Sequence, residues 1–254
     1  MEVCKKGLSG SALKWIAIIT MLIDHIGAVV LARVLLNYHY AADLSVQDKE
    51  YAILYGIYDV TRTIGRLAFP IFCFLLVEGF HRTSNKSKYV ARIAIFALLT
   101  EVPFDLAFTG KTVFWGYQNV MLTLLIGMLV MLGCHWLEKY VAKRQYLLWA
   151  GQGICVVAGM LVAWLLHTDY SFKGIICIMV LYFFRNNRIW QCMAGALSLV
   201  WEAEAMFSFL FIYIYNGQRG RQTKYFFYIF YPAHLLLLYW LSYLLKIHWI
   251  PVVS

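Results

Sequence analysis

Charged residues are scarce in this sequence, where they make up 14% of 254 residues, against 62% hydrophobic and 17% aromatic residues. A soluble domain carries about 25% charged residues, so water is not the main solvent of this chain. Hydrophilic stretches long enough to fold alone are also missing, because even the polar segment 37–59 contains the apolar run 51–55. The sequence therefore predicts a single membrane domain over residues 1–254.

Paired cysteines and metal-binding motifs are missing as well. The six cysteines are scattered singly, with no Cys-x-x-Cys spacing: Cys4, Cys73, Cys134, Cys155, Cys177 and Cys192. This placement is typical of small buried residues and does not predict a disulfide framework or a zinc site. The seven histidines show no His-Glu-x-x-His spacing, so we expect no metal cofactor.

Long apolar runs are what the chain does have. A membrane-spanning helix needs about 20 mostly apolar residues, and six runs meet this length: 12–36, 60–80, 90–108, 119–138, 146–166 and 225–245. The first run lacks the small-residue cleavage site of a signal peptide. Residues 172–215 fit three short or tilted helices better than two long ones. The sequence thus predicts an all-α polytopic membrane protein with about nine spans, eight being the alternative.

The basic residues orient the predicted spans. The net charge of +9 comes from residues in short loops between apolar runs, which suits a topology signal and not a nucleic-acid surface. With a cytoplasmic N-terminus, fourteen basic residues, from Lys5 to Lys224, fall on the cytoplasmic side, and three (Lys49, Lys111 and Lys173) fall outside. Cytoplasmic loops carry such an excess. We therefore expect the N-terminus in the cytoplasm.

Four groups of ionisable residues stand out inside the predicted spans, where a charge at a helix centre costs about 2.5–3.5 kcal/mol. Such residues mark function or a specific partner. The groups are Asp24 with His25, Arg62 with Arg66, Glu101 with Asp105, and His234. The arginines are four residues apart, as are the carboxylates, so each pair shares one helix face. Asp24 and His25 lie near mid-bilayer and require a polar cavity there.

The arginine pair and the carboxylate pair each have a structural explanation as well as a functional one. Arg66 and Asp105 are predicted to lie at the same depth of a helical hairpin and to face each other. A buried ion pair that locks the hairpin fits this as well as a substrate site does, since both charges need a partner. Arg62 lies close enough to the outer surface for its guanidinium to reach water.

Two prolines suggest structural roles for other polar side chains. Glu101 caps the helix kinked by Pro103 in one interpretation, and binds substrate in the other. His234 follows Pro232, whose missing N–H frees a backbone carbonyl. A histidine that donates to this carbonyl is the structural alternative to a histidine that takes part in catalysis.

Several segments resemble the TraX family, in the right order over most of the chain, with residues 147–206 carrying little of the pattern. The matching segments are Leu22-Ile-Asp-His-Ile-Gly27, Gly65-Arg-Leu-Ala-Phe-Pro-Ile-Phe72, Leu76-Val-Glu-Gly-Phe80, Leu99-Thr-Glu-Val-Pro-Phe-Asp105, Tyr215-Asn-Gly217 and Tyr231-Pro-Ala-His-Leu235. TraX-like proteins are bacterial inner-membrane proteins associated with N-acetylation of pilin. They are similar to the wider transmembrane acyltransferases, which use a histidine in the first helix and cytoplasmic acyl-CoA.

The resemblance implies that His25 is the catalytic histidine, with Asp24 beside it. Arg62 and Arg66 would match the arginines near the acyl-transfer site, although three residues separate them here and two in the relatives. Together with the buried charges, this predicts an acyltransferase that uses acetyl-CoA as co-substrate. Asp24 would orient His25, and Arg66 would stabilise the oxyanion.

Substrate contacts complete this interpretation. We expect Arg62, Glu101, Asp105 and His234 to bind an acceptor that arrives from the outer side, whether peptide, glycan or lipid. Lys14 and Arg92, at the cytoplasmic mouth, are expected to hold the anionic CoA. Two other functions remain open: a proton-coupled transporter, which would use the same polar groups as a relay, and a non-enzymatic membrane assembly factor.

Overall fold

A computed structural model describes residues 6–41, 49–221 and 226–245. The regular structure in these ranges is helical, apart from isolated bridges that join Leu8 to Tyr215 and Gln118 to Thr168. The all-α prediction is therefore confirmed. Cys4, Lys5, Lys224 and the start of the predicted last span at residue 225 lie outside the described residues.

The helices follow one another with short connections. In chain order they are α1 (Gly10–His25), a π-helical turn (Ile26–Leu31), α2 (Ala32–Ala41), α3 (Lys49–Gly65), α4 (Ala68–Arg82), α5 (Lys86–Thr109), α6 (Val120–Val141), α7 (Gln145–Leu165), α8 (Ser171–Phe183), α9 (Arg188–Leu197), a 3-10 helix (Ala203–Phe207), α10 (Ser208–Tyr213) and α11 (Phe226–Leu244).

The first long helical segment, which we call the first rod, consists of α1, the π turn and α2. Ser9 starts it, because its hydroxyl accepts a hydrogen bond from the Ala12 N–H at 3.2 Å, as an N-cap residue does. The backbone widens directly after His25, and the Ala32 N–H bonds the Gly27 carbonyl five residues back. Such π turns are rare and are found frequently at functional sites. Here the turn begins beside His25.

The second rod consists of α3 and α4, interrupted at Arg66 and Leu67. The Leu67 N–H reaches the Ile64 carbonyl at 3.3 Å, an i to i+3 bond that tightens the helix locally. Gly65 precedes this turn and packs against the first rod, since a Cβ added there would overlap the Asp24 side chain. The close approach brings Asp24 beside the two arginines.

Two apolar clusters form the core of the helix assembly. The larger contains residues of α1, α4, α6 and α8, such as Phe74 and Met128. The smaller surrounds the end of α1 and contains Met21, Phe104 and Tyr231. The main partners of α4 are α1, α8 and α10, whereas α5 packs on α6 and α11. Consecutive helices α4 and α5 are therefore not each other's principal neighbours.

Membrane-spanning character is evident from length and composition. Five described helical segments are long and apolar enough to cross a bilayer: Gly10–Asn37, Lys49–Arg82, Val120–Val141, Gln145–Leu165 and Phe226–Leu244. Ser171–Phe183 and Ala203–Tyr213 are apolar but shorter, and α5 has 24 residues, among them five charged ones. The chain is thus a membrane protein with several apolar helices. Nine spans and the orientation stay predictions.

Candidate active site

A buried histidine pair forms the centre of the site. His25 ends α1 and His234 lies in the middle of α11, and their side chains meet with 2.6 Å between Nδ1 of His25 and Nε2 of His234. The residues are 8% and 4% exposed. Phe108 and Tyr231 surround the His25 ring, with centroids at 5.8 and 5.9 Å. Aromatic side chains therefore line one part of the surroundings of the pair.

The backbone sets the protonation pattern of this histidine pair. Nδ1 of His234 lies 2.7 Å from the Phe230 carbonyl oxygen, which only accepts hydrogen bonds, so the proton of neutral His234 is on Nδ1. Nε2 of His234 is then the acceptor for Nδ1–H of His25, and Nε2 of His25 carries the lone pair. This assignment follows from the hydrogen-bond network. It makes His25 a base with a defined basic atom.

His234 thus takes the orienting role that the sequence assigned to Asp24. That assignment was wrong, because Asp24 instead accepts a hydrogen bond from Nη1 of Arg62 at 2.8 Å. Adjacent helical residues point about 100° apart, which directs the two side chains to different neighbours. His234 does donate to a carbonyl, but to that of Phe230, four residues back. The carbonyl that Pro232 leaves without a helical donor is that of Tyr228, so the predicted hydrogen bond from His234 to the freed carbonyl was wrong.

Arg62 and Arg66 each form an ion pair. Arg62 pairs with Asp24, and the two side chains are 24% and 17% exposed, so the Arg62 guanidinium is partly exposed and also has a partner inside the protein. Arg66 pairs with Glu202 at 2.8 Å. Electrostatic interactions join Asp24 to both arginines, and His25 to Arg62. The structure therefore brings His25, Asp24, Arg62 and Arg66 into one polar centre, as the sequence predicted.

The predicted pair of Arg66 with Asp105 is absent from the described residues. Asp105 is 1% exposed and its Oδ2 accepts from the Phe114 N–H at 2.7 Å. Depth along a hairpin was predicted from residue counting, but counting does not give the direction of a side chain around the helix. Since α4 packs on α1 and α8 while α5 packs on α6 and α11, the two side chains face different partners.

Glu101 lies on the same helix as Asp105 and joins α5 to α6. Its carboxylate accepts a hydrogen bond from the side chain of Asn119, whose amide also donates to the Ala97 carbonyl at 3.0 Å. The Asn119 side-chain oxygen caps α6 by accepting from Met121 N–H. Glu101 therefore contacts the cap of a neighbouring helix, and capping of its own kinked helix was the wrong structural alternative.

Asp169 and Tyr170 contribute to the polar centre although the sequence did not single them out. The Asp169 carboxylate accepts from the Tyr117 hydroxyl at 2.8 Å and interacts electrostatically with Arg66 and Arg62. Burial raises the pKa of the Asp169 carboxyl, and the Tyr117 hydrogen bond opposes this shift. Tyr170 has a φ of 62°, a backbone region that bulky residues rarely adopt and that clusters at functional sites.

Arg33 is a third residue that the sequence interpretation passed over. It is 0% exposed, and it donates to the carbonyls of Val29 and Ala107, each at 2.5 Å. Ala107 lies near the C-terminus of α5, where carbonyls lack helical partners and a cation is favoured. Arg33 thus fastens the end of α5 to the first rod. Its position inside the apolar run 12–36 was the available signal.

A cavity of about 460 Å³ opens between the end of α4 and the starts of α1, α5 and α11. We call it the donor cavity. Four basic residues line it, Lys14, Arg82, Arg92 and Arg219, against one acidic residue, Glu78. The predicted residues Lys14 and Arg92 therefore share one cavity, where Lys14 lies over the Phe227 ring and Arg92 over the Tyr228 ring.

The chain segment 214–221 positions one side of the donor cavity. It is bonded to the N-terminal residues through main-chain hydrogen bonds: Leu8 N–H to Ile214 O, Gly10 N–H to Gln218 O, and Ser11 N–H to Arg219 O, at 2.8 to 3.0 Å. Arg82 also donates to the Gly217 carbonyl at 2.8 Å. These contacts fix Arg219 beside Lys14, and the cavity mouth is consequently a concentrated positive site suited to a phosphorylated ligand.

Four carboxylate oxygens in the described residues are buried without a hydrogen-bond partner. They belong to Asp24, Glu101, Asp105 and Glu202. A buried acceptor left unpaired costs about 1–3 kcal/mol, so each of these oxygens gains from a donor on a bound ligand. The chemistry available is therefore a base on His25, guanidinium groups beside it, and acceptors for N–H or O–H groups.

The fold and this centre define a class: a polytopic α-helical membrane protein with a buried histidine pair beside two ion pairs. The chain belongs to the TraX family, whose profile, described as TraX protein, matches residues 9–242. It is 27% identical over 249 residues to a Dichelobacter nodosus protein named "Probable fimbrial assembly protein FimC, serogroup H1", with 91% of this chain and 94% of the relative covered. No solved structure matches the chain.

Proposed function

We propose that this protein is a membrane-embedded acyltransferase that moves an acetyl group from cytoplasmic acetyl-CoA to an amine or hydroxyl of an exported or membrane-bound acceptor. The observation that carries the proposal is the histidine pair, because the Phe230 carbonyl and His234 leave Nε2 of His25 as a basic atom. A base of this kind contributes about 10²–10⁴-fold to an acyl transfer. Membership of the TraX family, and a relative named for fimbrial assembly, agree with an exported acceptor.

The proposed reaction is an acyl transfer through a tetrahedral intermediate. Nε2 of His25 takes the proton of the acceptor amine or hydroxyl as its nitrogen or oxygen bonds to the thioester carbonyl carbon. The carbonyl oxygen becomes an oxyanion, which a guanidinium stabilises. When the intermediate collapses, the carbon–sulfur bond breaks, and the proton held by His25 passes to the CoA thiolate. The products are the acylated acceptor and free CoA.

Arg62 is better placed than Arg66 for the oxyanion role. The electrostatic partners of His25 include Arg62, whereas Arg66 is held by Glu202 and interacts with Tyr170. We assign oxyanion stabilisation to Arg62 and positioning of the polar centre to Arg66. Glu101, Asp105 and Asp24 offer buried oxygens without partners, which suit the N–H or O–H groups of an acceptor.

The donor cavity is the proposed binding site for CoA. Its four basic residues match the several negative charges of the nucleotide part of CoA, and its apolar lining, such as Leu75 and Leu124, suits the thioester arm. A proton-coupled transporter uses the same polar centre, but it has no need of this basic cavity. Release of free CoA from acetyl-CoA by the purified protein separates acyl transfer from transport and from a purely structural assembly role.

A charge substitution tests the donor site. Arg92→Gln removes a cation that lines the donor cavity, so we expect the Kd for acetyl-CoA to rise about tenfold, with a weaker dependence on salt. Lys88→Gln is the matched control, because Lys88 lies one turn earlier on α5 and does not line the cavity. Binding is measured in nanodiscs at several salt concentrations. Equal losses in both variants, or none in Arg92→Gln, would contradict the donor site.

The proposed topology has nine spans, with the N-terminus in the cytoplasm of a bacterial inner membrane. It rests on the excess of fourteen basic residues over three and on the five long apolar segments with shorter helices between them. In a cysteine-free background, single cysteines at Lys86 and Gln218 should resist a membrane-impermeant thiol reagent in intact cells, while one at Lys111 should react. Reaction at Gln218 together with protection at Lys86 would favour eight spans.

A further inference from the structure

The inner end of the donor cavity is apolar. Phe72 on α4 and Met121 on α6 line it, and Phe72 lies ten residues, about 15 Å along the helix, from Arg82 at the mouth. Both side chains also pack against the cluster that contains Tyr231. The Tyr231 ring lies 5.9 Å from the His25 ring and 5.7 Å from the His234 ring. Phe72 and Met121 therefore connect the cavity lining with the cluster that surrounds the histidine pair.

The region beyond these two side chains is densely filled. Phe104 is 2% exposed, Tyr231 5% and Phe108 8%, and these rings belong to the same cluster as Met21. Packed interiors accept few additional atoms without displacement of side chains. An acyl group that approaches His25 from the donor cavity meets Phe72 and Met121 before it fits among these rings.

We propose that Phe72 and Met121 are the residues that select the acyl chain, admitting a short acyl group such as acetyl and excluding medium chains. The inference rests on the proposed acyl-CoA site. Met121 is unbranched and adapts its shape readily, which permits passage of a thioester, whereas the Phe72 ring is rigid and limits the width. One methylene more or less in an apolar pocket changes kcat/KM by about 10- to 200-fold. Two such side chains are therefore sufficient to fix the chain length.

The test compares acetyl-CoA with octanoyl-CoA. In nanodiscs without acceptor, water serves as the nucleophile: the thioester is hydrolysed to a carboxylic acid and CoA, whose free thiol is titrated. Phe72→Ala should raise the ratio of kcat/KM for octanoyl-CoA over acetyl-CoA at least tenfold relative to wild type. Leu98→Ala is the matched control, since Leu98 on α5 is 71% exposed and does not line the cavity, so this change should leave the ratio unchanged.

Met121→Ala tests the second of the two side chains and replaces Phe72→Ala if the latter does not fold. It should shift the ratio in the same direction. An unchanged ratio in the folded variants would overturn the assignment, as would an equal shift in Leu98→Ala or a wild-type preference for octanoyl-CoA. A wild-type protein that neither binds nor hydrolyses any of the CoA thioesters would instead refute the proposed function itself, and the chain-length assignment with it.

Discussion

His25→Gln should reduce release of CoA from acetyl-CoA by at least about 10²-fold, the lower range of general-base catalysis. Glutamine retains an N–H that donates to Nε2 of His234, so the buried hydrogen bond survives, but its side chain cannot accept a proton near neutral pH. Because the histidine acts in the transition state, kcat should fall while the Kd for acetyl-CoA stays close to wild type. Turnover and binding are measured on the same nanodisc preparation.

The control for this experiment is His135→Gln. His135 lies on α6, its side chain is 43% exposed, and its nearest charged partner is Glu138 at 3.8 Å, so turnover should remain near wild type. The thermal unfolding midpoint of His25→Gln should match wild type within a few degrees. A His25→Gln protein that kept more than about a tenth of wild-type turnover is incompatible with general-base catalysis of 10²-fold or more.

Much of the candidate site was predictable because the bilayer penalises buried charge. His25, Asp24, Arg62 and Arg66 were recognised from their positions inside apolar runs, and the structure gathers them into one centre. The penalty of about 2.5–3.5 kcal/mol per central charge makes such residues conspicuous in any sequence. The same reasoning applied to Arg33 would have found it, since its run 12–36 is equally apolar.

The partners of these residues were not predictable from the sequence. Counting residues gives the depth of a side chain, but which helices become neighbours depends on packing that the local sequence does not encode. Arg66 was paired with Asp105 by depth alone, and it binds Glu202, a residue 136 positions further along the chain. Asp24 and His25 are adjacent in the chain, yet one faces α3 and the other faces α11.

Short loops conceal the remaining residues of the site. Asp169 and Tyr170 follow the end of α7, where polar residues usually meet water and attract no attention. They are directed inward by the hydrogen bond from the Tyr117 hydroxyl to Asp169 and by stacking of Tyr170 on Phe69, with ring centroids 3.6 Å apart. The positive φ of Tyr170 is a further feature that only the backbone reveals. Only the folded structure shows that this loop turns toward the polar centre, so its residues are identified there and not in the sequence.

Gly65→Ala should lower both stability and turnover strongly, and it tests how the polar centre is assembled. A Cβ at residue 65 would overlap the Cβ and carboxyl of Asp24. Rotation of the Asp24 side chain moves its carboxyl but not its Cβ, so α3 and the first rod must separate. Overpacking of this kind costs about 1–3 kcal/mol. Separation also lengthens the 2.8 Å contact between Arg62 and Asp24.

Helix propensity opposes this steric cost, because it favours alanine over glycine. The second glycine of α3, Gly56, is the control that measures the effect of propensity alone. Alanine favours a helix interior over glycine by about 1 kcal/mol, a gain that applies to both glycines of α3. At Gly56 an added Cβ meets no atom within 4 Å, so Gly56→Ala should raise the thermal unfolding midpoint slightly and leave turnover unchanged. Gly65→Ala should lower the midpoint despite the same gain, because the steric cost exceeds it. Equal and stabilising effects at both positions would mean that α1 and α3 do not approach closely at Gly65, and that Asp24 and Arg62 are brought together in another way.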